Sequence, residues 1–140
     1  MLTLAAVLKR TPKAWLQRSE DCRIYQYKKI VDASDKNPAV LCLVYSIFDS
    51  AGNRKTKPKK HRCYVKGLNG KEKRIIASSV EMSCDCEAFM YWSEVALNRK
   101  GAAPIMFSNG DDPVVRNPSL TPFPCKHLVR VTLMILNRGM

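Results

Sequence analysis

The sequence has 140 residues, the size of one domain, and 46% of them are apolar, so the chain can bury a hydrophobic core. Its 24 Lys and Arg against 12 Asp and Glu give a formal net charge of +12. No apolar run approaches the roughly 18 residues of a membrane span. With two His, no Gly-rich phosphate loop and no Gly-x-Ser-x-Gly, the sequence lacks the motifs of most enzyme classes.

Residues 1–21 are expected to be helical. Leu4, Val7 and Leu8 share one face at helical spacing. Thr11-Pro12 is typical of an N-cap followed by a first-turn proline, and predicts a short second helix through Trp15 and Leu16. The apolar start of the chain, residues 1–7, is too short for a secretory signal.

Residues 22–82 predict a four-stranded antiparallel meander. The second strand is almost entirely apolar, which favours a central strand buried on both faces. Residues 49–53 predict a turn, and Asn69-Gly70 is the strongest short hairpin signal in the chain. The predicted strands are Arg23–Val31, Val40–Phe48, His61–Lys66 and Arg74–Met82.

Residues 83–140 predict two helices. Glu87–Lys100 is the first, with Gly101 placed as its C-terminal stop. Residues 101–124 hold five prolines and little regular pattern. Cys125–Arg138 is the second helix, followed by Gly139, and it is apolar on most sides, which predicts burial.

Two short pairs of potential metal ligands flank the first of these helices and the proline-rich segment. Cys84-Asp85-Cys86 is separated by 38 residues from Cys125-Lys126-His127. Proteins build tetrahedral zinc sites from such pairs, because each pair supplies two ligands from one turn and the fold brings the pairs together. Both pairs are expected at helix N-termini, where backbone N–H groups stabilise thiolates.

This ligand pattern resembles the SWIM-type zinc finger, in which Cys-x-Cys after β-strands is followed by Cys-x-His at a helix. The resemblance implies one zinc ion held by Cys84, Cys86, Cys125 and His127, and a role in binding DNA or protein. Residues 100–128 are also similar to small stand-alone proteins of this type that tailed bacteriophages encode. The 38-residue spacer is longer than the family usually has, but doubling a loop costs only about 0.6 kcal/mol.

Four soft ligands favour a structural zinc over a catalytic one. A catalytic site keeps three protein ligands and an open position for water. A deaminase would require a Glu after a His ligand and a Cys-x-x-Cys pair, and the sequence has neither. A structural zinc supplies roughly 10–16 kcal/mol of apparent binding free energy, far more than the long spacer costs.

Three cysteines lie outside the ligand pattern, each within a predicted strand or, for Cys22, directly before one. Core packing is the favoured interpretation for Cys22, Cys42 and Cys63. His61-Arg62-Cys63 also has ligand spacing, so a second metal site with Cys22 and Cys42 is an alternative. A disulfide between copies of the chain in an assembly is another.

Ten basic residues and one acidic residue, Glu72, lie between Arg54 and Arg74. This stretch is either a solvated hairpin tip or a contact for phosphate backbones or an acidic partner protein. Tyr64 is its only aromatic residue, which argues against a base-stacking platform. The candidate contact residues are Arg54, Lys55, Lys57, Lys59, Lys60 and Arg62.

The sequence therefore predicts one α+β domain: a helical N-terminal segment, a four-stranded antiparallel sheet, and two C-terminal helices linked by a structural zinc. The chain is expected to be a non-enzymatic structural component that binds partner protein chains. The resemblance of residues 100–128 to phage-encoded proteins implies that the assembly is a bacteriophage particle. The alternative is a nucleic-acid-binding or regulatory protein. The expected location is the virion or the host cytoplasm.

Overall fold

Four antiparallel strands form one sheet in the order β1-β2-β3-β4. In the computed structural model, which describes residues 1–49 and 51–140, the architecture is α+β, as predicted. The strands are β1 (Cys22–Val31), β2 (Pro38–Ser46), β3 (His61–Gly67) and β4 (Val80–Cys84). The helices are α1 (Leu4–Lys9), α2 (Lys13–Ser19), α3 (Glu94–Arg99) and α4 (Lys126–Arg138).

The core lies between one face of the sheet and the helices. The strand register places Val40, Val65 and Met82 in one row across this face. Helix α4 crosses the same face and contacts all four strands. Its Leu128 and Ile135 are fully buried there, so the hydrophobic core joins residues from both halves of the sequence.

The expectation that the second strand is buried on both faces is wrong. Along β2, buried Val40, Cys42 and Val44 alternate with half-buried Leu41 and Leu43. The alternation arises because α4 packs on one face of the sheet, whereas the face that carries Leu41 and Leu43 also carries the exposed Arg62 of β3.

The fourth strand is shorter than predicted. β4 begins at Val80, whereas Ile75–Ala77 forms a 3₁₀ turn. Ile75 is buried in the core, and its backbone N–H donates to the carbonyl of Met140 at 2.9 Å. The burial of Ile75 against the end of the chain therefore replaces extended pairing along 74–79.

Asn69-Gly70 consequently does not close a two-residue hairpin. Gly70 has a φ of +96°, as a turn glycine does, but the connection runs from Gly67 to Val80. The Asn69 side chain stabilises this long connection, because its Oδ1 accepts the backbone N–H of Ser79 at 2.7 Å.

The N-terminal helices form where the sequence predicts them, but the cap between them differs. Pro12 itself is the N-cap of α2 and makes no side-chain capping bond. Thr11 instead donates its hydroxyl to the carbonyl of Val7 at 3.0 Å, at the end of α1. The turn predicted at 49–53 includes residue 50, which lies outside the described residues.

Both C-terminal helices are confirmed, each with one difference. The first is helical from residue 87 and passes through a π-helical turn, Phe89–Ser93, before α3. Gly101, with a φ of +71°, follows its end, and Gly139, with a φ of +70°, caps α4. α4 buries Leu128, Val129, Val131 and Ile135, as predicted, whereas its Leu133 is 38% exposed. None of the helices in the described part of the chain is long and apolar enough to cross a membrane.

Lys66 of β3 is the centre of an ion-pair network at one end of the sheet. It is 8% exposed, and its Nζ lies 2.7 Å from Asp35 and 3.8 Å from both Asp32 and Glu81. The hydrogen bond from Lys66 lowers the pKa of Asp35. Bonds from Ser34 and Tyr64 lower the pKa of Asp32. These carboxylates therefore stabilise the fold in their charged form.

Replacing Lys66 by Met is expected to lower the urea midpoint of unfolding at pH 7, because buried positive charge is lost beside three carboxylates. The hydrogen bond from Lys66 lowers the pKa of Asp35 in the folded chain, so this contribution is present above the unfolded pKa of about 3.9 and is lost as pH falls further. The stability difference between K66M and the native chain should therefore narrow below pH 4.

The matched control is Lys28→Met, which removes an exposed lysine of β1. Expressing each midpoint relative to K28M cancels any loss of stability in acid that all variants share. A K66M deficit that is the same at pH 3 as at pH 7 would contradict the electrostatic explanation.

Candidate metal centre

Cys84, Cys86, Cys125 and His127 meet at one end of the sheet. Their ligand atoms all lie within 4.8 Å of one another, and all four residues are buried. Cys84 is the last residue of β4, and Cys125 is the N-cap of α4. The structure thus brings together the two pairs that the sequence separates by 38 residues, in a cluster that can hold a metal ion.

The spacing of the four atoms suits tetrahedral coordination. Nδ1 of His127 lies 4.0 Å from Sγ of Cys84 and 4.0 Å from Sγ of Cys125, so Nδ1 is the ring nitrogen that faces the sulfurs. Zn–S bonds of about 2.3 Å place two sulfurs about 3.8 Å apart in a tetrahedron. If each two ligand atoms moved closer together by a few tenths of an ångström to about one ångström, all four would lie at bonding distance from one shared metal ion.

At Cys86, the N-terminus of the following helix stabilises the sulfur, as predicted. The chain becomes helical at residue 87, and Sγ of Cys86 accepts the backbone N–H of Phe89 at 3.3 Å. Cys125 occupies the N-cap position of α4, but its side chain makes no capping hydrogen bond. One of the two helix ends therefore donates directly to a sulfur.

The three thiols influence one another's ionisation. Hydrogen bonds from Cys125 and Cys84 lower the pKa of Cys86 well below its usual range, whereas burial raises the pKa of Cys125. In the chain alone, one thiolate is thus stabilised by neighbours that stay protonated. Three thiolates together in this buried site require the positive charge of a cation.

Residues of β3 support the cluster from one side. The thiol of Cys63 lies 3.6 Å from Sγ of Cys84 and donates to it. The ring of His61 lies 4.6 Å from that of His127, and its Nδ1 is 2.9 Å from Asp85, the residue between the two Cys ligands. Burial lowers the pKa of His61. These contacts hold the turn 84–86 against β3.

The remaining cysteines belong to the core. All six cysteines are free, buried thiols, and burial raises the pKa of Cys22 to about 11 and that of Cys42 to about 12. Across the sheet, Cys42 pairs with Cys63 and Cys63 with Cys84. Within residues 1–49 and 51–140, the four-ligand cluster is the one group of three or more ligand atoms at metal-binding spacing.

Five of the six basic candidates lie on the exposed connection between β2 and β3. We call residues 54–60 the basic loop. Its start is fixed by a hydrogen bond from the Lys55 N–H to the carbonyl of Ile47, 2.9 Å, and by a bridge between Phe48 and Arg54. Arg62 lies apart from the loop, on β3 opposite Leu43. The candidates in the loop are Arg54, Lys55, Lys57, Lys59 and Lys60.

The aromatic residues beside the basic loop come from other strands. Tyr64 is directed away from it, since its hydroxyl donates to Asp32 in the β1–β2 connection. Tyr25 of β1 and Tyr45 of β2 line a groove together with the loop. Both tyrosines lie outside residues 54–74, so that stretch of sequence contains only Tyr64.

Comparisons with known proteins identified no relative of this chain. No protein-family model matches the sequence, and no match was found among curated proteins or solved structures. The resemblance to SWIM-type zinc fingers therefore rests on the ligand pattern, which the cluster geometry fits.

The purified chain should bind about one equivalent of metal through this cluster. Cys84→Ser and His127→Ala remove one ligand each and should lose most of that metal, as measured by elemental analysis. Cobalt titration gives a second readout, because thiolate coordination produces strong near-ultraviolet absorption that both variants should weaken.

Cys42→Ser is the matched control for this prediction. It changes a buried cysteine of β2, two strands away from Cys84, that is not a ligand, and should keep the full metal content. Undiminished metal in both ligand variants would place the metal elsewhere in the chain.

Proposed function

We propose that the chain is a non-enzymatic module whose fold is held by one structural zinc ion, and that it serves as an assembly component that binds partner protein chains. The observation that carries the first part is the buried cluster of three Cys and one His drawn from β4 and α4. Thiolate and imidazole ligands in a tetrahedral set favour zinc over the hard cations, which prefer oxygen.

The closed coordination supports a structural role. Four protein ligands leave no position for water or substrate, whereas catalytic zinc sites keep one open. The carboxylate of Asp85, the residue between the two Cys ligands of the first pair, already bonds His61 and the backbone N–H of Arg62. We therefore assign no reaction to the site.

The segment between the two ligand pairs supports the proposed partner contact. Several of its apolar side chains are exposed: Met106 is 59% exposed, Val114 72% and Val115 87%. Contiguous exposed apolar patches commonly mark protein–protein contacts, and Val114 and Val115 are exposed neighbours in sequence. A protein partner that covers these side chains would remove them from water.

This segment is held in place by buried polar groups. The carboxylate of Glu94 is fully buried and accepts the backbone N–H groups of Phe107 and Ser108, the latter at 2.8 Å. The side-chain amide of Asn117 donates to the carbonyl of Trp92 at 2.7 Å. A surface fixed in this way loses less conformational entropy when a partner binds.

The proposed place of the assembly is a bacteriophage particle. This part of the proposal rests on the resemblance of residues 100–128 to small phage-encoded proteins, and on the exposed apolar side chains of the same segment.

Removal of the metal should unfold the C-terminal helices. Because the ligand cluster is not formed in the unfolded chain, the free energy of metal binding is also free energy of folding. Excess chelator should lower the melting temperature and the helical circular-dichroism signal, and added zinc should restore both. His127→Ala should melt near the chelated native chain and respond little to chelator. An unchanged melting temperature after complete metal removal would refute the structural role.

Polar substitution of the exposed valines should reduce incorporation into particles. We expect the double variant Val114→Ser/Val115→Ser to be depleted several-fold from purified particles relative to the native chain, measured by quantitative mass spectrometry after infection. Val31→Ser is the control, because it makes the same change at a 61% exposed valine of β1. Absence of the native chain from particles would refute the assembly role, and equal depletion of V31S would refute this surface.

A further inference from the structure

A bulge in β1 places Tyr25 outside the regular strand pairing. The register between β1 and β2 shifts between Ile24 and Gln26, and Tyr25 has no partner in the ladder. Bulges redirect the side chain of the extra residue. Tyr25 is 58% exposed and lies on the edge strand of the sheet, so its side chain is open to solvent.

The basic loop lies next to this ring. Nζ of Lys60 sits 4.3 Å from the centroid of the Tyr25 ring, a cation–π contact. The other end of the loop is fixed by the bond from Lys55 to Ile47. Between these two anchors the loop and the strands enclose an open groove lined by Tyr25, Tyr45, Ile47, Arg54, Lys55, Thr56, Lys57, Pro58 and Lys60.

All the charged side chains that line the groove are positive. Four of its nine lining residues are basic and none is acidic. In the described part of the chain, no carboxylate oxygen lies within 4.0 Å of the charged nitrogens of Arg54, Lys55, Lys57 or Lys60. By contrast, the buried Lys66 is matched by three carboxylates. The groove is therefore suited to an anion that comes from outside the chain.

The two tyrosines distinguish between anionic partners. Grooves for single-stranded nucleic acid combine basic side chains that follow the phosphates with aromatic rings on which unpaired bases stack. A duplex hides its base faces, so it would use the lysines alone. An acidic peptide would likewise satisfy the charges and leave the tyrosines without a role.

We propose that this groove binds single-stranded nucleic acid. Arg54, Lys55 and Lys57 contact the phosphates, and an unpaired base stacks on Tyr25. Tyr45 and Ile47 line the groove beside that base. The site is separate from the metal cluster and from the exposed segment 101–124, so it adds a binding activity to the proposed assembly role and does not depend on it.

The test uses the full, metal-loaded chain with a fluorescent dT12 strand and the corresponding dA–dT duplex, measured by anisotropy at several salt concentrations. The native chain should bind dT12 more tightly than the duplex. Lys55→Glu/Lys57→Glu should weaken dT12 binding at least tenfold. It should also reduce the slope of log affinity against log salt by about 1.4, since each phosphate contact to a single strand contributes about 0.7.

The tyrosine variants test the stacking step. Tyr25→Ala should weaken dT12 binding about fivefold or more, leave the duplex affinity and the salt slope unchanged, and be rescued by Tyr25→Phe. Tyr27→Ala is the control, because Tyr27 is a neighbouring β1 tyrosine that contacts Arg138 of α4 and lies outside the groove. Melting temperatures establish that each variant is folded.

Three results would overturn the proposal. Binding that K55E/K57E does not affect would remove the groove as the site. Equal affinity for strand and duplex, with Y25A unchanged, would show that no base stacks there. Displacement of dT12 by a poly-glutamate peptide of equal charge at equal concentration would assign the groove to an acidic protein partner.

Discussion

The cluster of Cys84, Cys86, Cys125 and His127 constrains the rest of the fold, because it ties the end of β4 to the first turn of α4. Helix α4 crosses the core face of the sheet and contacts every strand. Where its first turn is fixed therefore determines where its apolar residues pack. The same cluster buries three cysteines, and placing a negative charge on all three at once in this buried site requires a cation.

Features encoded by neighbouring residues could be predicted from the sequence. The two ligand pairs are local, since each spans three residues, and their spacing alone indicated that they would meet. The strand and helix positions followed from apolar periodicity and from glycines such as Gly101 and Gly139. The prediction for β2 was wrong because an apolar run does not reveal whether a second layer covers the other face of the sheet. The predicted start of β4 was wrong because Ile75 is buried against Met140, a contact between residues that are distant in sequence.

Contacts between distant residues account for what the sequence did not indicate. His61 and Asp85 are 24 residues apart, and Cys63 and Cys84 are 21 apart, yet both pairs support the metal cluster. The carboxylate of Glu94 fixes the backbone of Phe107 and Ser108. Tyr25 reaches the basic loop only because β1 bulges beside it. No local pattern encodes such contacts, because they arise from strand register and from how the connections cross the sheet.

Both surfaces that we propose for binding are connected to the metal cluster along the chain. The basic loop ends at Lys60, and the next residue, His61, stacks on His127 and bonds Asp85 between two Cys ligands. The exposed segment 101–124 ends at Cys125, itself a ligand. A metal ion bound in this buried cluster would fix one end of each of these two irregular segments. Irregular segments of this length otherwise lose much conformational entropy when they bind. A bound metal would thus support the binding that we propose at both surfaces, because it would order their ends before a partner arrives.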